Sequence, residues 1–309
     1  MHTRSATPTE GAASFETAMS ARPIVVGLGG PELCPSVLKW SLDVARKTAA
    51  PLAVVRIFEP PFAEHDPESF GEMLDGERKH VEMLLADLGA AGEPVSIEVR
   101  TAQAVDALVE AAAGSDAFLV VVDAHDACNR RGFGSAEIHE LLHRLHRPVA
   151  VIPHAYERCS GGTIVVGVDG SAANVRALEF ATRFAVAIVA HVHAVFAYDP
   201  IDDTFTLPEG WHRHSDQIRE ELRHFGTAPV ELLMKPGPAE KVLIDAAARD
   251  RAAAIVVGTR GRGGFHDLEL GRVPRRLIRH AERPLIVVPH ASASEHHPPT
   301  TRVRGERRP

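Results

Sequence analysis

One unit occurs twice in this chain, and that repetition limits the possible architectures more than any single motif. Ile24-Val25-Val26-Gly27 returns as Ile164-Val165-Val166-Gly167. Arg147-Pro148, leading through Val151 to Pro153-His154, returns as Arg283-Pro284 leading through Val287 to Pro289-His290. The repeats imply two domains, 22–154 and 163–290, joined by a polar linker over 155–162 that ends in Ser160-Gly161-Gly162. The flanks 1–21 and 291–309 are rich in Ser, Thr, Pro, His and Arg, lack core periodicity, and read as disordered tails. Met19 stands just before the first folded segment and is an alternative start.

Within the second unit, β-branched runs alternate with helical patterns. Strands are expected at Ile164–Val168, Ala190–Phe196, Pro229–Met234, Ala253–Val257 and Leu285–Val288. Helices are expected at Asn174–Ala187, near Glu209–Phe225, at Glu240–Arg249 and at Pro274–His280. Continuous apolar strands separated by helices imply a parallel sheet covered on both faces. Right-handed crossovers then make each unit a doubly wound, five-stranded, Rossmann-like α/β domain. The closing strands Val149–Ile152 and Leu285–Val288 invite pairing with each other as an internal pseudo-dimer, since an unpaired edge is a liability.

Composition narrows the function classes. A net charge of −7 argues against a general polyanion-binding surface. Three widely spaced cysteines, Cys34, Cys128 and Cys159, form no zinc or disulfide pattern and fit a reducing cytoplasm. The opening residues lack the apolar core of a secretory signal, and no apolar run approaches the ~20 residues of a membrane span.

In open parallel sheets, ligands bind beyond the carboxyl ends of the strands, where strand order reverses. After strand one, the second unit reads Asp169-Gly170-Ser171-Ala172-Ala173-Asn174. Gly170 permits a tight turn, Ser171 or Asn174 suits a helix cap, and Asp169 projects at the strand end. After strand four comes Gly258-Thr259-Arg260-Gly261-Arg262-Gly263-Gly264, and later Gly271 just before a helix. Two residues separate Gly258 from Gly261, and nine separate Gly261 from Gly271. Glycines let backbone approach a phosphate, and a helix N-terminus offers free N–H groups and a favourable dipole.

The segment Val256–Val288 resembles the signature of the universal stress protein family, in which nucleotide binders show G-x2-G-x9-G followed by Ser or Thr. Ile164–Ser171 resembles that family's first strand with its Asp, and the resemblance spans roughly 260 of the 309 residues. It implies a non-catalytic ATP-binding protein of the stress response, with Mg2+ as an optional companion of the nucleotide. By this resemblance Asp169 meets the ribose and adenine, and Ala194 lines the adenine slot with Val257 and Gly258 close by. Gly261, Gly271, Arg272 and Val273 border the phosphates. A homodimer of the whole chain is also implied.

The departures from the pattern count as well. Arg272 stands where the family has its hydroxyl, and Pro274 where nucleotide binders have a second one. Proline offers no N–H, whereas Arg272 supplies a fork of donors. The first unit has lost the Asp, reading Gly29-Gly30-Pro31, and places Asp123-Ala124-His125-Asp126 where the two glycines belong. Carboxylates there repel phosphate, so this unit is expected to bind no ATP and to serve pairing and scaffolding. The alternative for the whole chain is a nucleotide-free interaction module of the same fold.

Other constellations carry less. His139, His143 and His146 share one helix at a spacing a metal site could use, but with no nearby Cys and no zinc-protease Glu they read as a solvated helix face. Arg260, Arg262, Arg272, Arg275 and Arg276 form a basic concentration that lacks the aromatic neighbours of a nucleic-acid binder. No Ser-His-Asp, Cys-His or Walker-type arrangement can be assembled, nor the Ser-Gly-Gly-x-Asp-Ser loop of ATP pyrophosphatases.

Overall fold

The computed structural model describes residues 21–30, 32–58, 67–124, 133–154, 156, 162–171, 174–198, 228–260 and 270–290. The expected helix near Glu209–Phe225, the two tails and most of the linker lie outside the described residues.

The first unit runs β1 (Ile24–Leu28), α1 (Pro35–Thr48), β2 (Leu52–Ile57), α2 (Pro67–Asp87), β3 (Val95–Arg100), α3 (Ala104–Gly114), β4 (Leu119–Asp123), α4 (Ser135–Leu145) and β5 (Val149–Ile152). The second runs β6 (Thr163–Val168), α5 (Asn174–Ile188), β7 (His191–Tyr198), β8 (Val230–Pro236), α6 (Ala239–Arg249), β9 (Ala254–Gly258), α7 (Arg272–His280) and β10 (Leu285–Val288). Local chemistry sets several boundaries. Proline opens α1 and precedes α6, where its fixed φ suits a helix start. In α7 the proline falls in the first turn, where the missing N–H costs no helical bond, so the helix begins at Arg272 rather than at Pro274.

All ten strands join one sheet in the order β3-β2-β1-β4-β5-β10-β9-β6-β7-β8. Every pairing inside a unit is parallel. The seam between the units is antiparallel, with Leu285 opposite Val151, Ile286 opposite Ala150 and Val287 opposite Val149. The internal pairing expected from the terminal strands is therefore present. Both seam strands are completely buried, while the outer strand β3 alternates between half-buried and exposed residues. The sheet thus hides its most apolar edges inside itself.

Helices cover both faces. Beneath one face, α1 and α5 pack residues such as Leu38, Trp40, Leu178 and Phe184 against Val26, Val166 and Ile286. Trp40 and Phe184 meet across the seam with ring centroids 6.4 Å apart. On the other face, α3, α4, α6 and α7 bury Leu108, Leu141, Leu243 and Leu277 against Val25, Val151, Val165 and Val287. Alternate residues of each strand serve opposite cores, as the two-residue period of a strand requires. In each unit the strand order reverses beside the first strand, between β1 and β4 and again between β6 and β9, which places a crevice at those carboxyl ends. No described helix is long and apolar enough to cross a membrane.

Candidate functional site

Identical strand registers allow the two crevices to be matched residue by residue. Leu28 lies opposite Arg56 in the first unit, and Val168 opposite Phe196 in the second. Ile24 pairs with Leu119, and Ile164 with Ala254. Arg56 therefore occupies the place of Phe196, Asp123 that of Gly258, and Gly29 that of Asp169.

In the second unit, Asp169 follows β6 and accepts the Ser171 backbone N–H at 2.9 Å. Gly170 takes the left-handed conformation at φ 71°, which favours glycine. Asn174 opens α5 and donates through Nδ2 to the Gly167 carbonyl at 3.2 Å. The Ser171 hydroxyl oxygen is buried and has no hydrogen-bond partner among the described residues. Gly258 ends β9, and Thr259 follows as a buried clasp. Its N–H donates to the Val288 carbonyl at 3.0 Å, and its carbonyl accepts the Gly271 N–H at 2.7 Å. Its Oγ1 accepts the His290 N–H at 3.2 Å.

This clasp holds the start of α7 against the end of β9. A Cβ on Gly271 would stand 3.3 Å from the Thr259 carbonyl oxygen, so glycine permits the close approach. Gly271 also has no side chain with which to cap α7. The amides of Arg272 and Val273 belong to the N–H groups that a helix leaves without an intrahelical partner. Arg260 and Arg176 lie close enough to His290 to act on it electrostatically. Burial first, then these two cations, hold the imidazole below its ordinary pKa.

Two of the sequence-expected residues sit deeper than anticipated. Ala194 does not follow the strand: β7 continues four residues further, to Tyr198, and Ala194 lies within it, fully buried, between Val166 and Leu232. Ala197 and Tyr198 hold the strand end instead. Val257 is likewise packed into the core behind Gly258. Asp169, Gly258, Gly271, Arg272 and Val273 are placed on strand-end loops or at the helix start, while Gly261 lies outside the described residues. Thr259, Arg176 and His290 were given no role by motif, and Ser171 was read only as a candidate helix cap. Only the repetition of Pro-His after the last strand of each unit hinted at His290.

The first unit fills the same crevice with its own side chains. Arg56 is buried to 1% exposure at the end of β2. Its Nη1 donates to the carbonyls of Leu28, Gly30 and Ile57 at 3.1, 2.7 and 3.0 Å. Its Nε donates to Glu77 at 2.7 Å. The Phe133 ring closes on Gly29, where a Cβ would stand 3.4 Å from it. Asp123 is buried, and its Oδ1 has no hydrogen-bond partner among the described residues. Burial pushes this carboxyl up to about 7, against the pull of its own and Phe133's backbone amides and the Arg56 charge. Cys34 lies alongside with Sγ 3.3 Å from His154 Nδ1. Its thiol is pushed up by burial and then by Asp123.

Among the described residues, no three His, Cys, Asp or Glu side chains are grouped as metal ligands. That includes the histidine helix α4.

Comparison with known proteins follows the same two-part division. The model of the universal stress protein family matches residues 20–153 and again 162–289. A universal stress protein of Mycobacterium tuberculosis is 25% identical over 294 residues, covering 85% of this chain and 95% of that one. One from Thermus aquaticus is 34% identical over 134 residues, 41% of this chain and 97% of its own. The crystal structure of a universal stress protein from Archaeoglobus fulgidus shares the fold, with a TM-score of 0.63 at 15% identity over 88% of this chain and 97% of that one. With the family pattern matched twice, on either side of one antiparallel seam, the chain belongs to the universal stress protein family as a tandem of two such domains.

Proposed function

We propose that the second unit binds ATP without turning it over, and that the chain acts in the stress response as a nucleotide-responsive regulatory protein. The observation that carries this reading is the buried hydroxyl of Ser171, which has no hydrogen-bond partner among the described residues, in the loop leaving the strand beside which strand order reverses. A buried polar atom is nearly always bonded to something, and a ligand hydroxyl or ring nitrogen would serve. Gly258 leaves open the place that Asp123 fills in the first unit, and the uncapped start of α7 lies against the same strand end.

In this reading Asp169 and Ser171 hold the nucleoside, while the amides of Arg272 and Val273, with Arg260 and Arg176 nearby, attract the phosphates. Arg272 replaces the family's hydroxyl by charge rather than by shape. Mg2+ enters only as a companion of the triphosphate. The bound nucleotide biases a partner surface of a cytoplasmic protein, and two chains associate as a homodimer. Light scattering that finds only monomer removes the last element alone.

Equilibrium dialysis of the full chain against labelled ATP tests the proposal. Saturable retention below millimolar ATP, lost in Asp169→Ala, is expected; no retention at millimolar ATP overturns it. One observation favours the rival reading of a nucleotide-free interaction module: Arg272 is 71% exposed and lies 4.0 Å from Glu240. If Arg272→Ser with Pro274→Ser creates binding that the natural chain lacks, the rival stands.

A further inference from the structure

Helix α7 carries Arg272, Arg275, Arg276, Arg279 and His280 in nine residues and no acid. Arginines in a first turn oppose the positive end of the helix dipole, and Arg272/Arg276 and Arg275/Arg279 are like-charged neighbours at i,i+4. Helices α3 and α4 on the same face instead open with Asp106 and Glu137. There, Arg144 is neutralised by Asp106 at 2.7 Å and by Glu140 at 3.2 Å. The cationic stripe is thus a property of the second unit rather than of the fold.

The stripe lines a groove of about 460 Å3 between α6 and α7, bounded by Glu240, Leu270, the four arginines and His280. That volume suits a small ligand. Its charges are ordered along the helix. At one end stand Arg272 and Arg275, the latter 3.4 Å from the Leu270 carbonyl. In the middle, Glu240 is nine-tenths buried and bonds Arg276 through Oε1. Burial favours protonation of this carboxyl, but its own backbone amide and the Arg276 and Arg272 cations outweigh that and hold it below the ordinary range. Glu240 Oε2 is buried without a hydrogen-bond partner among the described residues. At the other end stand Arg279 and His280, seven or eight residues on and so ~10–12 Å along the axis from Arg272.

We propose that this groove is a second ligand site, for a small polyol carrying two phosphates, one held at each cationic end. A hydroxyl between them donates to Glu240 Oε2. Arginine forks match phosphate oxygens, and a buried carboxylate oxygen requires a donor. Two separated anionic groups satisfy both ends of the stripe, whereas a compact anion reaches one. The site shares Arg272 with the proposed ATP pocket but extends away from it, since Arg279 and His280 lie at the far end of α7 and Asp169 takes no part.

Titration calorimetry on the full chain in low salt, with fructose 1,6-bisphosphate and inorganic pyrophosphate as probes, tests the assignment. The bisphosphate is expected to bind at least tenfold more tightly than pyrophosphate. Arg279→Gln, an exposed change that leaves the core untouched, should weaken the bisphosphate at least tenfold. Glu240→Gln should move the two probes in opposite directions, weakening the bisphosphate by loss of its acceptor and strengthening pyrophosphate by loss of negative charge. Asp169→Ala should change neither, so the outcome is independent of the ATP reading. Equal affinity for both probes, no effect of Arg279→Gln, or strengthening of both probes by Glu240→Gln would each overturn the proposal.

Discussion

The two units start from the same strands in the same register and differ in what occupies the strand ends. The first places a guanidinium, a phenyl ring and a carboxyl there, from Arg56, Phe133 and Asp123. The second has Phe196, Leu270 and Gly258 at the matching places, and in addition Asp169 where the first has Gly29. A crevice that a fold creates by its topology need not stay empty: in the first unit three side chains fill it. The filled crevice is also tied together in a particular way, because Arg56 links the β1 loop to β2 and α2 through three carbonyls and Glu77.

The largest effect is expected from removing that tie. Arg56→Ala leaves Glu77 and three carbonyls without their donor and should cost ~3–5 kcal/mol of stability by urea denaturation. Arg56→Phe, which copies the second unit, should recover part of the loss. If Arg56→Ala is neutral, the first crevice is not held closed by this side chain. Next comes the seam. Ile286→Pro removes a ladder donor from a strand paired on both sides and should cost ~3 kcal/mol or more, with the two units melting separately in calorimetry.

Gly258→Asp transplants the first unit's acid into the second. It should weaken ATP retention about a hundredfold, ~2.7 kcal/mol. The reverse change, Asp123→Gly, should create no binding, because Arg56 and Phe133 remain. The smallest effect concerns pH. The Asp123 carboxyl titrates near 7 in the folded chain and near 3.8 when unfolded. A raised acid contributes stability that is full below the unfolded value and lost as pH rises through about 7. Asp123→Asn should therefore flatten the stability profile between those values and stabilise the chain above pH 7 by ~1–3 kcal/mol. Parallel profiles for the two proteins would show that Asp123 is not the titrating group.

The sequence made the tandem, the doubly wound order and the seam readable, because each rests on repetition and on continuous β-branched runs. Leu285–Val288 was placed to the residue, and the strand-four loops announced the difference between the units through Asp123 and Gly258. What stayed hidden depends on tertiary contact. Arg56 ends an apolar strand and reads like any outward-facing cation; only the folded chain shows carbonyls from three residues converging on it. Ala194 was assigned to the adenine slot by resemblance although it lay inside the expected strand Ala190–Phe196, and β7, which runs on to Tyr198, buries it in the sheet. Glu240 gives no local sign that it will meet Arg276, a helix and a strand later.

The antiparallel contact of β5 with β10 has a consequence for mass action. Two separate subunits joined along such an edge would part on dilution, and the fraction joined would follow their concentration. Here both edges belong to one polypeptide, so each is presented to the other at a fixed effective concentration. The second unit's crevice is then always accompanied by the filled crevice of the first, in a ratio of one to one that no change in expression level can alter.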